Sequence, residues 1–169
     1  MMYGITGTPG TGKSAIAAEL EDRGFPILHL SGTTGPYVLE VDPERDTLVI
    51  DEERWAEEFP PFDGFVEGHL AHILACDRVI ILRCRPDVLT DRLIARGYSQ
   101  DKVRENVEAE ALDVVLIEAL DCHPPEHIFE LDTTDRSIRE SCEMIVQFVQ
   151  GTLPPVHGAY DWSSYLETL

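Results

Sequence analysis

A glycine-rich octapeptide near the start of the chain has the residue types and spacing needed to hold a chain of phosphates. It reads Gly-Thr-Pro-Gly-Thr-Gly-Lys-Ser over residues 7–14, which fits the pattern GxxxxGK[S/T]. The glycines let the loop fold back so that successive backbone N–H groups point inward, at the N-terminus of the helix that follows. The octapeptide therefore predicts a P-loop that binds the β- and γ-phosphates of a nucleotide.

Most residues of this loop have an expected role in binding or catalysis. Lys13 is expected to contact the β- and γ-phosphates as a catalytic residue, and the Ser14 hydroxyl is expected to ligate Mg²⁺. The other expected nucleotide-binding residues act mainly through backbone N–H groups, and they are Gly7, Gly10, Thr11, Gly12 and Ala15. The expected cofactors are ATP or ADP together with Mg²⁺.

Apolar, β-prone runs alternate with amphipathic segments along most of the chain. The predicted strands are Tyr3–Thr6, Pro26–Leu30, Gly64–Glu67, Arg78–Cys84 and Ile128–Leu131, with a short extended piece at Leu48–Ile50. The predicted helices are Ser14–Arg23, Asp51–Glu58, a brief one around Leu70–Cys76, Asp87–Ala95, Asp101–Leu120 and Ser137–Val149. This alternation predicts an α/β protein with the P-loop NTPase fold, a five-stranded and mainly parallel sheet carrying helices on both faces.

The composition indicates a globular chain with a strongly acidic surface. Of the 169 residues, 43% are hydrophobic and 27% are charged, and the formal net charge is −19. This charge disfavours direct binding to nucleic acid and to anionic membranes, and it favours basic protein partners or a habitat with acidic proteins.

No apolar run reaches the roughly 20 residues that span a bilayer, and the N-terminus lacks the charged and apolar blocks of a signal peptide. We therefore expect a cytoplasmic protein without membrane association.

A P-loop alone does not distinguish a kinase from a molecular switch or a motor ATPase. Four segments, GTPGTGKS, RVIILRC, DRLIARGYS and NVEAEALDVVLIEA, together resemble the adenylate kinase isoenzyme 6 family, also called CINAP, in an archaeal form. The resemblance runs from about Gly4 to Val149. It implies a nucleoside monophosphate kinase that uses ATP, with AMP or another nucleoside monophosphate as the acceptor and with ATPase activity beside it.

The same resemblance implies a role late in maturation of the small ribosomal subunit. The implied partner is a basic small-subunit ribosomal protein (universal protein eleven), bound transiently, and the net charge of −19 suits a basic partner. One alternative is an ATPase assembly factor with negligible kinase activity. Another is a different small P-loop metabolite kinase, for example of the shikimate or dephospho-coenzyme-A type.

Two arginines after the fourth predicted strand receive roles from the resemblance. Arg92 and Arg96 are four residues apart, so both lie on one helix face. Arg92 is expected to stack on the adenine, and Arg96 is expected to grip the transferred phosphate, which needs positive charge around its oxygens. The alternatives are a solvated Arg92 paired with Asp87 or Asp91, and an Arg96 that only stabilises the helix C-terminus.

Glu67-Gly68-His69 follows the third predicted strand, at the position of a Walker B-type acidic motif. In the resembling family this site usually reads Asp-x-His, so Glu67 places the charge on a longer arm. We expect Glu67 to act at the Mg²⁺ site by orienting a metal-bound water rather than by ligating the metal directly. His69 is expected to position an attacking water or a phosphate oxygen, with a structural histidine as the alternative. The nearby His72 is interpreted as structural.

The resemblance divides the chain into a P-loop kinase domain over residues 1–150 and an extended C-terminal tail over residues 151–169. Within the domain, residues 31–51 are expected to form a turn-rich insert that binds the monophosphate, and residues 95–105 are expected to form a short lid. The insert has no basic residue before Arg45, where relatives often carry one, so the acceptor stays open.

The sequence also leads to expectations for the aromatic residues of the tail and for the cysteines. The tail residues Tyr160, Trp162 and Tyr165 are expected to pack along the domain, with docking of a partner as the alternative. The four cysteines form no CxxC pair, so no zinc site is predicted. Cys84 and Cys142 are expected to be buried free thiols.

Overall fold

Five parallel strands form the sheet that carries the phosphate loop. The computed structural model describes every residue from Met1 to Leu169. The strands of this sheet are β1 (Met2–Gly7), β2 (Ile27–His29), β5 (Gly64–Glu67), β6 (Arg78–Arg83) and β7 (Ile128–Asp132). Their order is β2-β5-β1-β6-β7, and every pairing is parallel. The five-stranded parallel sheet predicted from the sequence is confirmed.

Alternation of side chains along each strand explains why the sheet is covered on both faces. Ile80 and Leu82 of β6 pack into one hydrophobic cluster, while Val79 and Ile81 pack into another. Since successive side chains of a strand point to opposite faces, a strand that is apolar at every position needs a helical layer on each side. The apolar run of β6, predicted as a strand, therefore lies between two hydrophobic cores and contributes side chains to both.

Six α-helices supply these layers. They are α1 (Lys13–Asp22), α2 (Glu52–Glu58), α3 (Pro86–Ala95), α4 (Gln100–Ala111), α5 (Val114–Cys122) and α6 (Ile138–Val149). Helices α1 and α6 cover one face of the sheet, α2 and α5 contribute to the other, and α3 packs against α4 in a third cluster. None of the helices combines the length and the apolar character that crossing a membrane demands.

The helix expected over Asp101–Leu120 is two helices, so that expectation was wrong. Helix α4 ends at Ala111 and α5 begins at Val114. Between them Asp113 has a left-handed backbone with φ of 57°, which is costly for a residue other than glycine. Its carboxylate pairs with Arg83 at 2.6 Å. We attribute the break to this long-range ion pair, which holds the chain in a turn at Asp113. The apolar stripe continues across the turn, so the sequence pattern did not indicate it.

The insert after β2 is more regular than the sequence indicated. It contains an antiparallel hairpin of β3 (Val38–Asp42) and β4 (Thr47–Ile50), separate from the main sheet. Only the second of these strands was expected. The brief helix expected around Leu70–Cys76 is reduced to one 3-10 turn at Ala71–Ile73. In short, exposed strands such as these two, pairing is decided by the partner strand as much as by local propensity.

The segment after α6 packs beside β7 at the edge of the sheet. Val156 forms a parallel bridge with Phe129, and its carbonyl accepts a hydrogen bond from the Glu130 N–H at 2.8 Å. The segment ends in a 3-10 helix at Ser163–Thr168, so it is not extended throughout. Cys84 and Cys142 are buried free thiols, as expected.

Candidate active site

Two glycines let the phosphate loop leave β1 and pass beneath α3. Gly7 has φ of +147°, and a Cβ there would lie 2.6 Å from the Leu82 carbonyl oxygen on the neighbouring strand. Gly10 has φ of +91°, and a Cβ there would lie 2.9 Å from Leu89 of α3. Both positions therefore exclude a side chain on conformational and steric grounds. The spacing seen in the sequence reflects these two close approaches.

The loop presents a set of backbone N–H groups that have no acceptor within the chain. The first N–H of α1 that bonds back to the backbone belongs to Ile16, which donates to Gly12 at 3.0 Å. The free N–H groups before it belong to Gly10, Gly12, Lys13, Ser14 and Ala15. Unpaired donors at a helix N-terminus favour an anion, and several of them can bond the same phosphate.

Lys13 lies against the inside of this loop. Its Nζ donates to the carbonyl oxygens of Gly7 at 2.7 Å and Thr8 at 3.0 Å. Burial lowers the pKa of Lys13 to about 8, with a further lowering from the charge of Arg96 and opposing contributions from Glu67 and Glu110. The ammonium group has three donors, so one stays available for a phosphate while two bond these carbonyls. Because an anion would then sit beside it, its pKa would rise on binding.

Glu67 lies at the carboxyl end of β5, next to the phosphate loop. It is in register with Ile5 of β1, and its Oε2 lies 2.8 Å from the His29 Nδ1. Parallel strands direct their carboxyl ends to one edge of a sheet, which brings Glu67 and the end of β1 together. The structure therefore places this carboxylate in the same cavity as Lys13 and Ser14.

The oxygen donors in this cavity suit Mg²⁺. The Ser14 hydroxyl and the Glu67 carboxylate both line it. No group of three or more His, Cys, Asp or Glu side chains is arranged to hold a metal ion. Mg²⁺ prefers oxygen ligands and usually keeps several waters, with one or two protein ligands and substrate phosphates. Ser14 and Glu67 fit such a site, whereas zinc would need more nitrogen or sulfur ligands.

His69 and His72 have different surroundings despite their closeness in sequence. His69 lines the mouth of the cavity, and its ring forms no hydrogen bond within the chain. Desolvation, and then the charge of Lys13, lowers the pKa of His69, so the ring is neutral and able to accept a proton at neutral pH. His72 is buried between the Thr6 hydroxyl at 2.8 Å and the Glu118 carboxylate at 2.9 Å. His72 is therefore a structural residue.

The two arginines of α3 lie in different places. Arg96 lines the cavity together with the phosphate loop and forms no ion pair. Arg92 instead donates to the Gly10 carbonyl at 3.3 Å and to the Thr133 carbonyl at 3.0 Å. Asp87, one partner considered for Arg92, pairs with Arg85. Arg92 thus fixes the back of the loop, and its guanidinium lies outside the cavity.

The cavity has a volume of about 300 Å³ and extends from the phosphate loop to the base of the insert. Its far wall is formed by Leu30, Ser31, Thr34, Trp55 and Leu70. The Trp55 ring is buried and donates to the Thr33 hydroxyl at 3.1 Å. Apart from Lys13 and Arg96, no cationic side chain lines the cavity.

Several residues at the site were not found by sequence reasoning. Trp55 was assigned only to a short acidic helix, and its position in the cavity depends on how α2 packs. Thr8 donates to the buried Glu110 at 2.5 Å. The available signal was Glu110 itself, because an acidic residue beside the apolar stripe of a helix indicates a buried partner.

The sheet order, the loop and the cavity define a P-loop protein with the kinase type of fold. A family profile described as "AAA domain" matches residues 4–113. Two relatives named "Putative adenylate kinase", from Archaeoglobus fulgidus and Natronomonas pharaonis, are each 42% identical. The first match covers 99% of this chain and 94% of the relative, and the second covers 98% and 100%. The chain therefore belongs to this family of archaeal P-loop proteins.

Solved structures of kinases share this fold at low sequence identity. Shikimate kinase from Acinetobacter baumannii, in complex with shikimate, aligns with a TM-score of 0.60 and 14% identity over 89% of this chain and 93% of that chain. Deoxyadenosine kinase from M. mycoides, with bound dATP, aligns with a TM-score of 0.58 and 16% identity over 89% and 100%. These likenesses concern the fold. The narrower CINAP-type assignment stays a prediction.

Proposed function

We propose that this protein transfers the γ-phosphoryl group of ATP to a nucleoside monophosphate, with AMP as the expected acceptor. The observation that carries the proposal is the single cavity that joins the unpaired N–H groups of the phosphate loop, Lys13 and Arg96 to a second wall beside Trp55. Such a cavity has room for a donor phosphate at one end and an acceptor at the other. The name of the archaeal relatives supports the same activity.

In this proposal the chain acts mainly by positioning and by supplying positive charge. The loop N–H groups and Lys13 bind the β- and γ-phosphates, while Arg96 stabilises the charge on the oxygens of the group in transfer. Mg²⁺, held through Ser14 and Glu67, would neutralise phosphate charge when bound. Arg92, fixed to the loop and to Thr133, would offer one face of its guanidinium to the adenine.

The acceptor end of the cavity has a distinct chemistry. Its polar groups are the hydroxyls of Ser31 and Thr34, and its apolar surface comes from Leu30, Trp55 and Leu70. An aromatic and aliphatic surface with two hydroxyls suits a base and a ribose better than a multiply charged group. Arg96 is then the cation that meets the acceptor phosphate as well as the transferred group. Residues 31–51 would serve as the acceptor lobe and residues 95–105 as the lid.

A coupled assay tests this function. With Mg·ATP and AMP we expect two ADP for each phosphoryl transfer, and with Mg·ATP alone a much slower release of ADP. Parallel reactions with dAMP, CMP, GMP, UMP and shikimate rank the acceptors. Equal ADP formation in all reactions, including the one without acceptor, would contradict the proposal. Phosphorylation of shikimate but of no monophosphate would identify a different metabolite kinase.

The pKa of Lys13 predicts how nucleotide binding depends on pH. The side chain loses its charge as the pH rises through about 8, while the phosphates keep theirs, so Mg·ATP should bind more weakly above this pH. At pH 9 only about one tenth of the free protein keeps a charged Lys13, and the Kd should rise by up to about tenfold relative to pH 7. Binding near pH 8 should also take up protons.

Calorimetry in pairs of buffers with different ionisation enthalpies measures both effects. Lys13→Arg is the matched control, because a guanidinium keeps its charge throughout this range and should remove the pH dependence. A wild-type Kd that stays constant from pH 7 to pH 9, without proton uptake, would show that Lys13 does not titrate at the nucleotide.

A second candidate is an ATPase that acts on a basic protein, as the resemblance to the CINAP-type family implies. The net charge of −19 favours this candidate through attraction to a basic small-subunit ribosomal protein. The neutral ring of His69 at the cavity mouth could accept a proton from an attacking water. ADP release without acceptor that increases when such a protein is added, and falls again at high salt, would favour this function over phosphoryl transfer to AMP.

A further inference from the structure

A buried arginine lies directly behind the phosphate loop, at the end of β6. Only 2% of Arg83 is exposed. Its guanidinium bonds three carboxylates: Glu110 at 2.8 Å, Asp113 at 2.6 Å, and Glu130. Glu110 and Glu130 are buried as well. Removing such charges from water is costly, and the cluster is stable only if the remaining carboxylate lone pairs find further donors.

Two of those further donors come from distant parts of the chain, and a third comes from Cys84, which directly follows Arg83. The Thr8 hydroxyl of the phosphate loop donates to the Glu110 Oε2 at 2.5 Å, and the Cys84 N–H donates to the Glu110 Oε1 at 3.0 Å. On the other side of the cluster, the Gly158 N–H of the C-terminal segment donates to the Glu130 Oε2. The cluster therefore connects the C-terminal segment to the phosphate loop through hydrogen bonds and ion pairs.

The C-terminal segment also closes the cluster against water. The Trp162 ring lies over the Arg83 guanidinium, 5.0 Å from the centroid, and is only 9% exposed. The Tyr160 ring stacks on Trp162 at 5.5 Å. An aromatic face over a guanidinium is attractive, and the exclusion of water strengthens the ion pairs beneath it. Trp162 thus covers the guanidinium that pairs with Glu110.

Thr8 connects the Arg83 cluster to the nucleotide site. Its carbonyl oxygen accepts hydrogen bonds from the Lys13 Nζ at 3.0 Å and from the Thr11 hydroxyl at 2.8 Å. A shift of Thr8 would therefore move the lysine and the loop N–H groups together. We propose that Trp162, acting through Arg83, Glu110 and Thr8, is a positioning residue for the phosphate loop. This inference rests on nucleotide binding by the P-loop and is independent of the acceptor.

Affinity for Mg·ADP, measured by calorimetry on folded protein, tests the inference. We expect Trp162→Ala to raise the Kd about tenfold and Trp162→Phe, which keeps a ring over Arg83, to restore most of the affinity. The matched control is Tyr165→Ala, which removes another aromatic residue of the tail whose side chain forms no ring pair or hydrogen bond. Thr8→Val removes the hydroxyl at the other end and should also raise the Kd about tenfold.

The double variant separates a positioning role from a general loss of stability. If Trp162 acts through Thr8, then Trp162→Ala combined with Thr8→Val should bind about as weakly as either single variant. A Kd that rises by the product of the two effects, about a hundredfold, would show that the residues act independently. Wild-type affinity in folded Trp162→Ala, or in Thr8→Val if the tryptophan variant does not fold, would overturn the inference. Failure of the wild type itself to bind Mg·ADP would instead reject the nucleotide site.

Discussion

Replacing Lys13 with alanine is expected to lower kcat/KM for phosphoryl transfer by about 10³-fold, the upper range for loss of one preorganised donor at a developing charge. The ammonium group is the one cationic group inside the phosphate loop, where its Nζ already bonds two loop carbonyls. The variant should stay folded, because the cost of burying the ammonium group offsets much of the roughly 1.5–3 kcal/mol that each bond from a charged donor contributes. A coupled assay and circular dichroism measure the two quantities.

Arg139→Ala is the control, since it also removes one positive charge but lies exposed on α6, outside both the cavity and the proposed lid. We expect it to keep wild-type activity. If Lys13→Ala retained full activity while folded, the assignment of the P-loop as the site of catalysis would be wrong. If Lys13→Ala loses activity because it unfolds, Lys13→Met separates the two causes. This variant removes the charge but keeps the apolar part of the side chain.

The second large effect is expected for Arg96→Ala. We expect kcat to fall by about 10²–10³-fold, while the affinity for Mg·ATP changes by much less. The physical reason is that Arg96 lines the cavity without an ion pair, so its charge is available to the group in transfer. Charge that is needed chiefly in the transition state affects kcat more than ground-state binding. Steady-state kinetics together with calorimetry separates these contributions.

The same Arg139→Ala variant provides the comparison, because Arg139 is an exposed arginine of α6 that pairs with Glu143 at 3.4 Å. Its loss should leave kcat unchanged, as surface ion pairs contribute little. Arg96→Lys should restore part of the rate, since an ammonium group carries the charge but cannot form two parallel hydrogen bonds. An unchanged kcat in Arg96→Ala would reduce Arg96 to a cation at the C-terminus of α3.

The sequence predicted the phosphate loop and the sheet because both depend on local patterns. The glycines at positions 7 and 10 reflect backbone conformations and close approaches that few other residues tolerate. The uninterrupted apolar run of β6 indicates burial on both faces wherever it lies in the fold. Local patterns of this kind predicted a strand before the phosphate loop and a helix after it. The five-stranded parallel sheet is confirmed.

Local patterns failed where distant residues decide the conformation. The break between α4 and α5 depends on Asp113, whose carboxylate pairs with Arg83, 30 residues earlier in the chain. The β3–β4 hairpin depends on the pairing of two short strands, of which the sequence indicated one. Trp55 enters the cavity only because α2 packs between the insert and the sheet.

The sequence by itself determined that this protein has a phosphate-binding loop at the start of a parallel α/β fold, since glycine spacing and apolar periodicity are properties of neighbouring residues. Only the tertiary structure decided what surrounds that loop: Arg96 in the cavity, Arg92 behind it, and the cluster that joins Trp162 to Thr8 through Arg83 and Glu110. The physical reason is that charge pairing and burial depend on which distant segments meet, and the residue types alone do not specify their partners.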